Sequence, residues 1–381
     1  MDFTLSDEQR LIADSAERLI GDRYGFEERK RHMASPRGFS RELWATFAEL
    51  GFLGVGLGEE HGGYGGAMET AILLEAFGRG LVVEPYLSTV VLGAGLVQQA
   101  GDDAQRAAIL PRVIAGELLL AFAQGERQSR YTLSNVATTA RPVGADGWRL
   151  DGHKAVVLGG DTADLLIVAA RTAGAALDRD GISLFLVERT APGVVVHGYP
   201  TVDGMRAADI AFTGVELPAH AVLGPVGGAL PAIEHVVDRA IAGLCAEAVG
   251  AMQALNALTL DYLKTRKQFG QPLGSFQVLQ HRMVDMTMAY EQAKSMAILA
   301  ASHADEPDAA VRARIIAAAK VQIGKSGKFI GQQAVQQHGG IAITMEYAAG
   351  HYFKRLTTID RSFGDVDHHL DRFAGLAKPA A

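Results

Sequence analysis

The sequence has a single cysteine, Cys245, among 381 residues, so it can form neither an internal disulfide nor a cysteine-rich zinc site. It has no dense run of lysine or arginine, and its formal net charge is −7. A nucleic-acid-binding surface needs a basic stripe, so that class of protein is excluded. No apolar run reaches about 18 residues without a charge, and no membrane span is predicted. The acidic, polar start lacks the features of a signal peptide, and we expect a cytoplasmic protein.

What is present is the composition of an ordinary folded protein. Hydrophobic residues make up 48% of the chain and charged residues 21%. The length is sufficient for two or three domains with their own cores. Cys245 stands inside a helical pattern, where we expect it to behave as a small buried hydrophobe.

The hydrophobic pattern divides the chain into three parts. Residues 1–117 follow helical spacing, and Ser6 with Gln9 forms a capping-box pattern at the start of the first helix. Residues 118–226 consist of short β-branched runs bounded by turn signals, which predict an antiparallel β-barrel or sandwich. Residues 227–381 return to long helical spacing, typical of a four-helix bundle. We therefore predict an α+β fold that is mostly α, with helical, β and helical domains in that order.

The middle part differs from a Rossmann domain. Its strands follow one another at regular spacing without intervening helices, and no glycine-rich dinucleotide loop is recognisable in the chain. Asp151-Gly152 indicates a tight hairpin turn between two of these strands. Any cofactor site must therefore be built in another way.

A glycine-marked bend interrupts the last helical part at residues 266–280. Phe269-Gly270 breaks the helical pattern, which then resumes, and the bend gathers an arginine, several glutamines and an aromatic ring. Such a bend can hold a large anionic cofactor, because a guanidinium donates two charged hydrogen bonds to a diphosphate. A second glycine-marked segment, residues 336–340, follows near the C-terminus.

These segments resemble those of the acyl-CoA dehydrogenase family. Residues 262–286 resemble one family signature over its whole length, and residues 336–347 resemble the second. Residues 2–9 and 60–66 are similar to parts of the family's N-terminal domain. The resemblance covers essentially the whole chain, and it implies an FAD enzyme whose flavin lies between the β-domain and the C-terminal helices.

The resemblance also implies that a neighbouring subunit completes each FAD site. The cross-subunit contacts would come from Arg266, Phe269, Gln277, Gln336, Gly339 and Gly340, where glycine lets the backbone approach the cofactor closely. The assembly would be a homotetramer, or an α2β2 heterotetramer with a paralogue.

The expected contacts to the flavin ring depart from the family pattern. Gln124 and Gly125, following Phe122, stand where many members have a Thr-Glu-Pro run. Val156-Val-Leu158 stands where many members have Trp-Ile-Thr or Trp-Ile-Ser. The hydroxyl that ordinarily donates a hydrogen bond at flavin N5 is therefore missing, and backbone N–H groups of this strand are a possible substitute.

The family's catalytic base has two candidate positions in this sequence. Its reaction removes the α-proton of an acyl-CoA thioester with a carboxylate and sends the β-hydride to the flavin. The commonest position is a glutamate in a Tyr-Glu-Gly-Thr run. The matching run, residues 362–370, places Gly364 there, or Asp365 after a slide of one residue. Adjacent His368 and His369 point about 100° apart on a helix, so no metal site is predicted.

A branch of the family carries its base on the first long helix of the bundle, directly before an arginine. Asp238-Arg239 stands at that place. Asp238, Ala242, Cys245 and Val249 share one helical face, a single carboxylate among small side chains. Asp238 is our first candidate for the base and Asp365 the second, with Arg239 and Ala242 expected beside the substrate.

The leading hypothesis is an acyl-CoA dehydrogenase of lipid β-oxidation that forms a 2,3-enoyl-CoA and passes electrons to an electron-transfer flavoprotein. Gly364 favours an alternative, in which the chain is a non-catalytic or half-catalytic subunit of an α2β2 enzyme. A third possibility is a flavin oxidase or monooxygenase on the same fold, with an aspartate base acting on a non-thioester substrate.

Overall fold

A computed structural model gives the fold of residues 4–144 and 147–376. The start of the N-terminal resemblance, residues 2–3, lies outside the described residues. A π-helical segment, Leu87–Ala94, lies among the N-terminal helices, together with short 3-10 turns at Phe52–Gly54 and Glu59–His61. The α-helices of this part are α1 (Asp7–Arg23), α2 (Phe26–Ala34), α3 (Arg41–Glu49), α4 (Ala67–Gly80), α5 (Gly95–Ala100) and α6 (Asp103–Ile114).

The first helix begins as its sequence predicts. The Ser6 hydroxyl accepts a hydrogen bond from the Gln9 backbone N–H, and the Gln9 side chain accepts one from the Ser6 N–H. The reciprocal pair satisfies two N–H groups that the helix leaves open at its start. The same arrangement, with Asp102 and Gln105, opens α6.

The middle part of the chain is a β-sheet domain. Its strands are β1 (Leu120–Ala123), β2 (Thr139–Val143), β3 (Gly147–Leu158), β4 (Leu165–Arg171), β5 (Ile182–Glu188), β6 (Val194–Pro200), β7 (Arg206–Leu217) and β8 (Val222–Leu223). They pair in the order β6-β7-β3-β2-β4-β5-β8, with β1 added alongside β4. Most pairs are antiparallel, as expected, but β1 and β2 both pair with β4 in parallel. The core under the sheet is apolar and includes Leu150, Phe185 and Phe212.

The predicted hairpin turn at Asp151-Gly152 is wrong. β3 runs through both residues, and its register against β7 shifts between Leu150 and Gly152, which marks a β-bulge. Gly152 has a φ of 155°, and a Cβ there would stand 2.5 Å from the Thr138 hydroxyl oxygen. The glycine therefore serves a bulge and a close approach of another strand, two uses of strand glycine that mimic a turn signal in sequence.

The C-terminal part is again helical. α9 packs against α8, α10 and α11. The helices and the small hairpin of this part are α7 (Leu230–Thr265), β9 (Lys267–Gln268), β10 (Gln271–Pro272), α8 (Gln277–Ser302), α9 (Ala309–His338), α10 (Ala348–Arg361) and α11 (Val366–Leu376), with 3-10 turns at Ala219–Ala221, Leu273–Ser275 and Gly339–Ile343.

The chain forms two compact units. One contains Met1–Arg31, Ala67–Val82 and Ile241–Ala381, and the other contains His32–Gly66 and Val83–Ala240. The predicted fold class is confirmed: the chain is mostly helical, with a helical N-terminal part, a central β-sheet domain and a helical C-terminal part. By length and composition α7 could cross a membrane, but 72% of its most apolar window is buried, as in the core helix of a folded domain.

Candidate active site

The bend after α7 is a two-residue β-hairpin. β9 and β10 pair across Phe269 and Gly270, whose φ angles of 54° and 84° both lie in the left-handed region. This is the conformation that a two-residue hairpin of the I′ type requires, and glycine takes its second position without strain. Phenylalanine in the first position is unusual, and its ring is 88% exposed. Arg266 and Gln277, at the two ends of the bend, are exposed as well.

The end of α9 lies next to the end of α7. The His338 ring is 4.5 Å from the Tyr262 ring and 5.2 Å from the Tyr347 ring, centroid to centroid. Gly339 ends α9 with a φ of 68°. No heavy atom lies within 4 Å of a Cβ built on Gly339 or Gly340, so both glycines face open space. The two segments that carry the sequence signatures are thus adjacent in one unit.

In the β-domain, the predicted ring-facing run Phe122–Gly125 is held against β3. The Ala155 N–H donates to the Gly125 carbonyl oxygen at 2.8 Å. Phe122 and Gln124 are buried, whereas Gly125 and Leu158 are half-buried. The structure therefore brings together the two segments in which the sequence departs from the family pattern.

A buried ion pair fixes the same run from below. Lys154 Nζ donates to Glu126 Oε1 at 2.6 Å and to the Gln124 carbonyl oxygen at 3.1 Å. The carboxylate also accepts the backbone N–H groups of Ala137 and Thr138. Burial opposes ionisation of Glu126, but these donors outweigh it and lower its pKa to about 2. Burial lowers the pKa of Lys154 to about 8, against the opposing effect of the carboxylate.

An open cleft of about 340 Å³ lies beside this ion pair and is lined in part by Arg127, Thr138 and His153. Two buried polar atoms of this region, Gln124 Oε1 and Thr138 Oγ1, have no hydrogen-bond partner among the residues that the structure describes. Buried polar atoms are normally paired, so these two are suited to a bound polar group.

The backbone of Val156 is strained. Ala155 and Val156 of β3 lie opposite Asp209 alone in β7, which makes a second β-bulge. Val156 has a φ of 54°, a genuine outlier for a β-branched residue that costs about 1–3 kcal/mol. Its N–H donates to Asp209 Oδ1 at 3.1 Å. The N–H groups of Ala155 and Val156 are thus both engaged within the protein, so neither replaces the missing hydroxyl at flavin N5.

The turn Ser362–Asp365, which contains the family's usual base position, is closed by a buried lysine. Lys320 Nζ donates to the carbonyl oxygens of Asp360, Ser362 and Gly364 at 3.0, 3.0 and 2.7 Å. Burial lowers the pKa of Lys320 to about 8. Three carbonyl acceptors around one ammonium group hold the turn in a single conformation.

Gly364 has no room for a side chain. Its φ is 119°, and a Cβ would stand 2.5 Å from His368 Cδ2 and 2.6 Å from His369 Nε2. His369 is fully buried, and burial lowers its pKa to about 3, so the neutral ring donates Nε2–H to the Phe363 carbonyl oxygen. A glutamate at Gly364 would require the turn and the histidines to move.

Asp365 begins α11. Its Oδ1 accepts the His368 N–H at 3.1 Å, the bond of a helix N-cap, and its Oδ2 accepts Arg361 Nη1 at 3.0 Å. Both carboxylate oxygens therefore take part in local structure.

On α7, Asp238, Ala242 and Cys245 are all buried. Burial raises the pKa of the Cys245 thiol to about 12, which leaves it a small neutral group, as predicted. Arg239 donates from Nη2 to the Gly56 carbonyl oxygen at 3.1 Å.

The small residues of α7 also serve helix packing. A Cβ on Gly243 would stand 2.5 Å from Leu74 Cδ1, so this glycine accommodates a neighbouring side chain.

Comparison with known proteins places the whole chain. The acyl-CoA dehydrogenase N-terminal, middle and C-terminal domain families match residues 6–117, 121–215 and 231–371. Acyl-CoA dehydrogenase FadE12 of Mycobacterium tuberculosis is 30% identical over 354 residues, which cover 91% of this chain and 89% of that protein.

Two solved structures share the fold. The FAD complex of PigA is 27% identical with a TM-score of 0.90 and covers 99% of this chain and 100% of its own. The Tcur3481-Tcur3483 steroid ACAD is 29% identical with a TM-score of 0.87 and covers 98% of each chain.

The fold and these matches define an FAD-dependent flavoprotein oxidoreductase. The chain belongs to the acyl-CoA dehydrogenase family. The residues present fit FAD: Arg266 has the charge for a diphosphate, Gly339 and Gly340 leave open space, and Gln124 offers a buried acceptor.

Sequence reasoning missed the residues that support the site. A lone lysine in the apolar strand β3 is a signal for Lys154, because a buried lysine needs a partner. No comparable signal exists for Asp209 or Lys320, since both depend on contacts between distant parts of the chain.

Proposed function

We propose that this protein is an acyl-CoA dehydrogenase in which Asp238 removes the α-proton of an acyl-CoA thioester to give a 2,3-enoyl-CoA. The observation that carries the proposal is the burial of this carboxylate at the position, directly before Arg239, where a branch of the family keeps its base. Bound FAD would accept the β-hydride, and an electron-transfer flavoprotein would receive the electrons.

The surroundings of the two candidate aspartates favour Asp238. Asp365 spends one carboxylate oxygen on a helix N-cap and the other on Arg361, so it is poorly placed to take a proton from carbon. Asp238 is 1% exposed, and a dry site protects the acidic α-position from exchange with water. Ala242 and Cys245, one and two turns further along α7, are small enough for an acyl chain to lie along the helix.

The exposed bend after α7 supports a site shared between subunits. Phe269 combines a strained backbone with an 88% exposed ring, a cost that a monomer has no reason to retain. In the proposed assembly, Arg266 and Phe269 hold the FAD of a neighbouring subunit, with Gln277, Gly339 and Gly340 completing the contact. The subunits would form a tetramer.

The test compares Asp238→Asn with Asp365→Asn, because both changes preserve side-chain size. Each variant is purified with FAD and mixed anaerobically with short, branched, aromatic and steroid-derived acyl-CoAs while the flavin absorbance is followed. Asp238→Asn should keep its FAD and lose bleaching by more than about 100-fold in rate, as expected for loss of a general base. Asp365→Asn should still be bleached. Undiminished bleaching of Asp238→Asn would reject the assignment.

A half-catalytic subunit of an α2β2 enzyme is the second candidate, and the closed turn at Gly364 favours it. The position most used for the base in this family is not merely substituted here but occupied by His368 and His369. The Tcur3481-Tcur3483 relative also joins two proteins in one name. Purification of the chain alone distinguishes the candidates. Sub-stoichiometric FAD without bleaching, both restored by a co-expressed paralogue, would favour the heteromeric enzyme.

A further inference from the structure

The bulge of β3 is clamped on two sides. On one side, the Ala155 N–H donates to the Gly125 carbonyl oxygen at 2.8 Å. On the other, Asp209 Oδ1 accepts the Val156 N–H at 3.1 Å and the Tyr199 hydroxyl at 2.8 Å. These contacts over-determine the backbone, which is the condition under which a strained residue persists in a folded protein.

The Asp209 carboxylate is well suited to hold the bulge. The Val156 N–H lowers the pKa of this carboxyl, and the nearby His153 and Arg127 act in the same direction. Arg127 Nη2 lies 3.8 Å from Asp209 Oδ2. The group therefore remains an ionised acceptor at neutral pH, and charge-assisted bonds to a carboxylate are stronger than neutral ones.

The strain is not needed to bury Val156. Its side chain is 58% exposed, although its neighbours Lys154 and Val157 are buried. Glycine would adopt a φ of 54° without cost, and glycine is the usual residue where a bulge needs a left-handed conformation. An exposed valine in this conformation loses backbone freedom and gains no packing within its own domain, so its value must lie in a contact outside the domain.

We propose that Asp209 is a positioning residue that holds the β3 bulge so that the Val156 side chain forms a fixed wall of the FAD site. The proposal rests on the proposed function, because it places Val156 against the cofactor. It adds a residue outside the sequence signatures and a reason for the strained backbone. Asp209 itself would touch no reacting atom.

The first test separates strain from contact with Val156→Gly, using Val195→Gly as the matched control. Val195 is also an exposed sheet valine, 50% exposed on β6, but has ordinary strand geometry. Val156→Gly should keep or raise the thermal midpoint, while its dissociation constant for FAD rises about 5-fold or more. Val195→Gly should lower the midpoint by about 2 °C or more, because glycine weakens a regular strand, and leave FAD affinity unchanged.

The second test addresses Asp209 through FAD affinity and through hydrogen exchange at the Val156 amide. Asp209→Ala removes the acceptor, so exchange should accelerate and FAD should bind about 5-fold or more weakly. Asp209→Asn keeps an acceptor oxygen and should restore most of both properties, which a general loss of stability would not reproduce.

Two results would overturn the inference. The first is a Val156→Gly variant that binds FAD as tightly as wild type or is destabilised as much as Val195→Gly. The second is unchanged FAD affinity in Asp209→Ala. None of these readouts uses an acyl-CoA, so a failed bleaching experiment leaves this test intact.

Discussion

Replacing Gly78 by alanine tests how closely α4 and α7 approach each other. A Cβ on Gly78 would stand 1.9 Å from the Glu247 carbonyl oxygen, and a Cβ on Gly250 would stand 1.9 Å from the Glu75 carbonyl oxygen. The two glycines form a reciprocal backbone contact. Since the obstacles are backbone atoms, the helices must separate by about 1 Å before an alanine fits.

The magnitude follows from two opposing effects. Overpacking of a close contact costs about 1–3 kcal/mol, or somewhat more where the backbone must move. Alanine returns about 0.5–1 kcal/mol through its better helix propensity. We expect Gly78→Ala to lower the free energy of unfolding by about 2 kcal/mol.

Urea denaturation followed by circular dichroism, with FAD in excess, measures this change. Gly21→Ala on α1 is the control, because no heavy atom lies within 4 Å of its Cβ, and it should stabilise by about 0.5–1 kcal/mol. Gly78→Ala combined with Gly250→Ala should cost less than the sum of the single changes, since one separation accommodates both. A Gly78→Ala protein as stable as the Gly21→Ala control would refute the reasoning.

Three further predictions concern buried polar groups and the closed turn. Arg355 and Glu247 form a two-pronged buried pair at 2.6 and 2.7 Å, so Arg355→Met should cost about 3–5 kcal/mol in chemical denaturation. Adding Glu247→Leu should recover most of that loss, and no recovery would contradict the pairing. Despite burial, its lysine partner and backbone donors lower the pKa of Glu126 to about 2, so its stabilisation exists above the unfolded-state pKa and is lost as the pH falls from about 5 towards 2. Glu126→Gln should therefore weaken the dependence of stability on pH in that range, and an unchanged profile would argue against the pair. Gly364→Ala should lower the thermal midpoint, whereas Gly375→Ala on α11, which faces open space, should raise it; equal midpoints would show that the turn can adapt.

The closed turn at Gly364 changes what the loss of the family's usual glutamate means. Lys320 and the two histidines fill and tie down the space around the turn, so a single substitution would not restore a base there. The chain therefore either uses another carboxylate or relies on a partner subunit. Asp238 is the carboxylate that its position and burial favour.

Features that depend on local geometry could be read from the residues. The capping box of Ser6 and Gln9 and the break of the helix at Phe269-Gly270 need only neighbouring residues, and the structure contains both. The long helices of the C-terminal part follow from their 3.6-residue periodicity. Asp151-Gly152 shows the limit of this reasoning, because the same dipeptide serves a tight turn in one tertiary context and a bulge in another.

From the sequence alone, the order of helical, β and helical parts followed from hydrophobic periodicity, and the FAD chemistry followed from two signature segments. Only the tertiary structure decided that Val156 is strained, that Asp209 and Lys154 support the segments around it, and that Gly364 has no space for a side chain. Periodicity and motifs are properties of neighbouring residues. These three features arise from contacts between residues that lie 28 to 53 positions apart or across a folded turn, and such contacts exist only once the chain has packed.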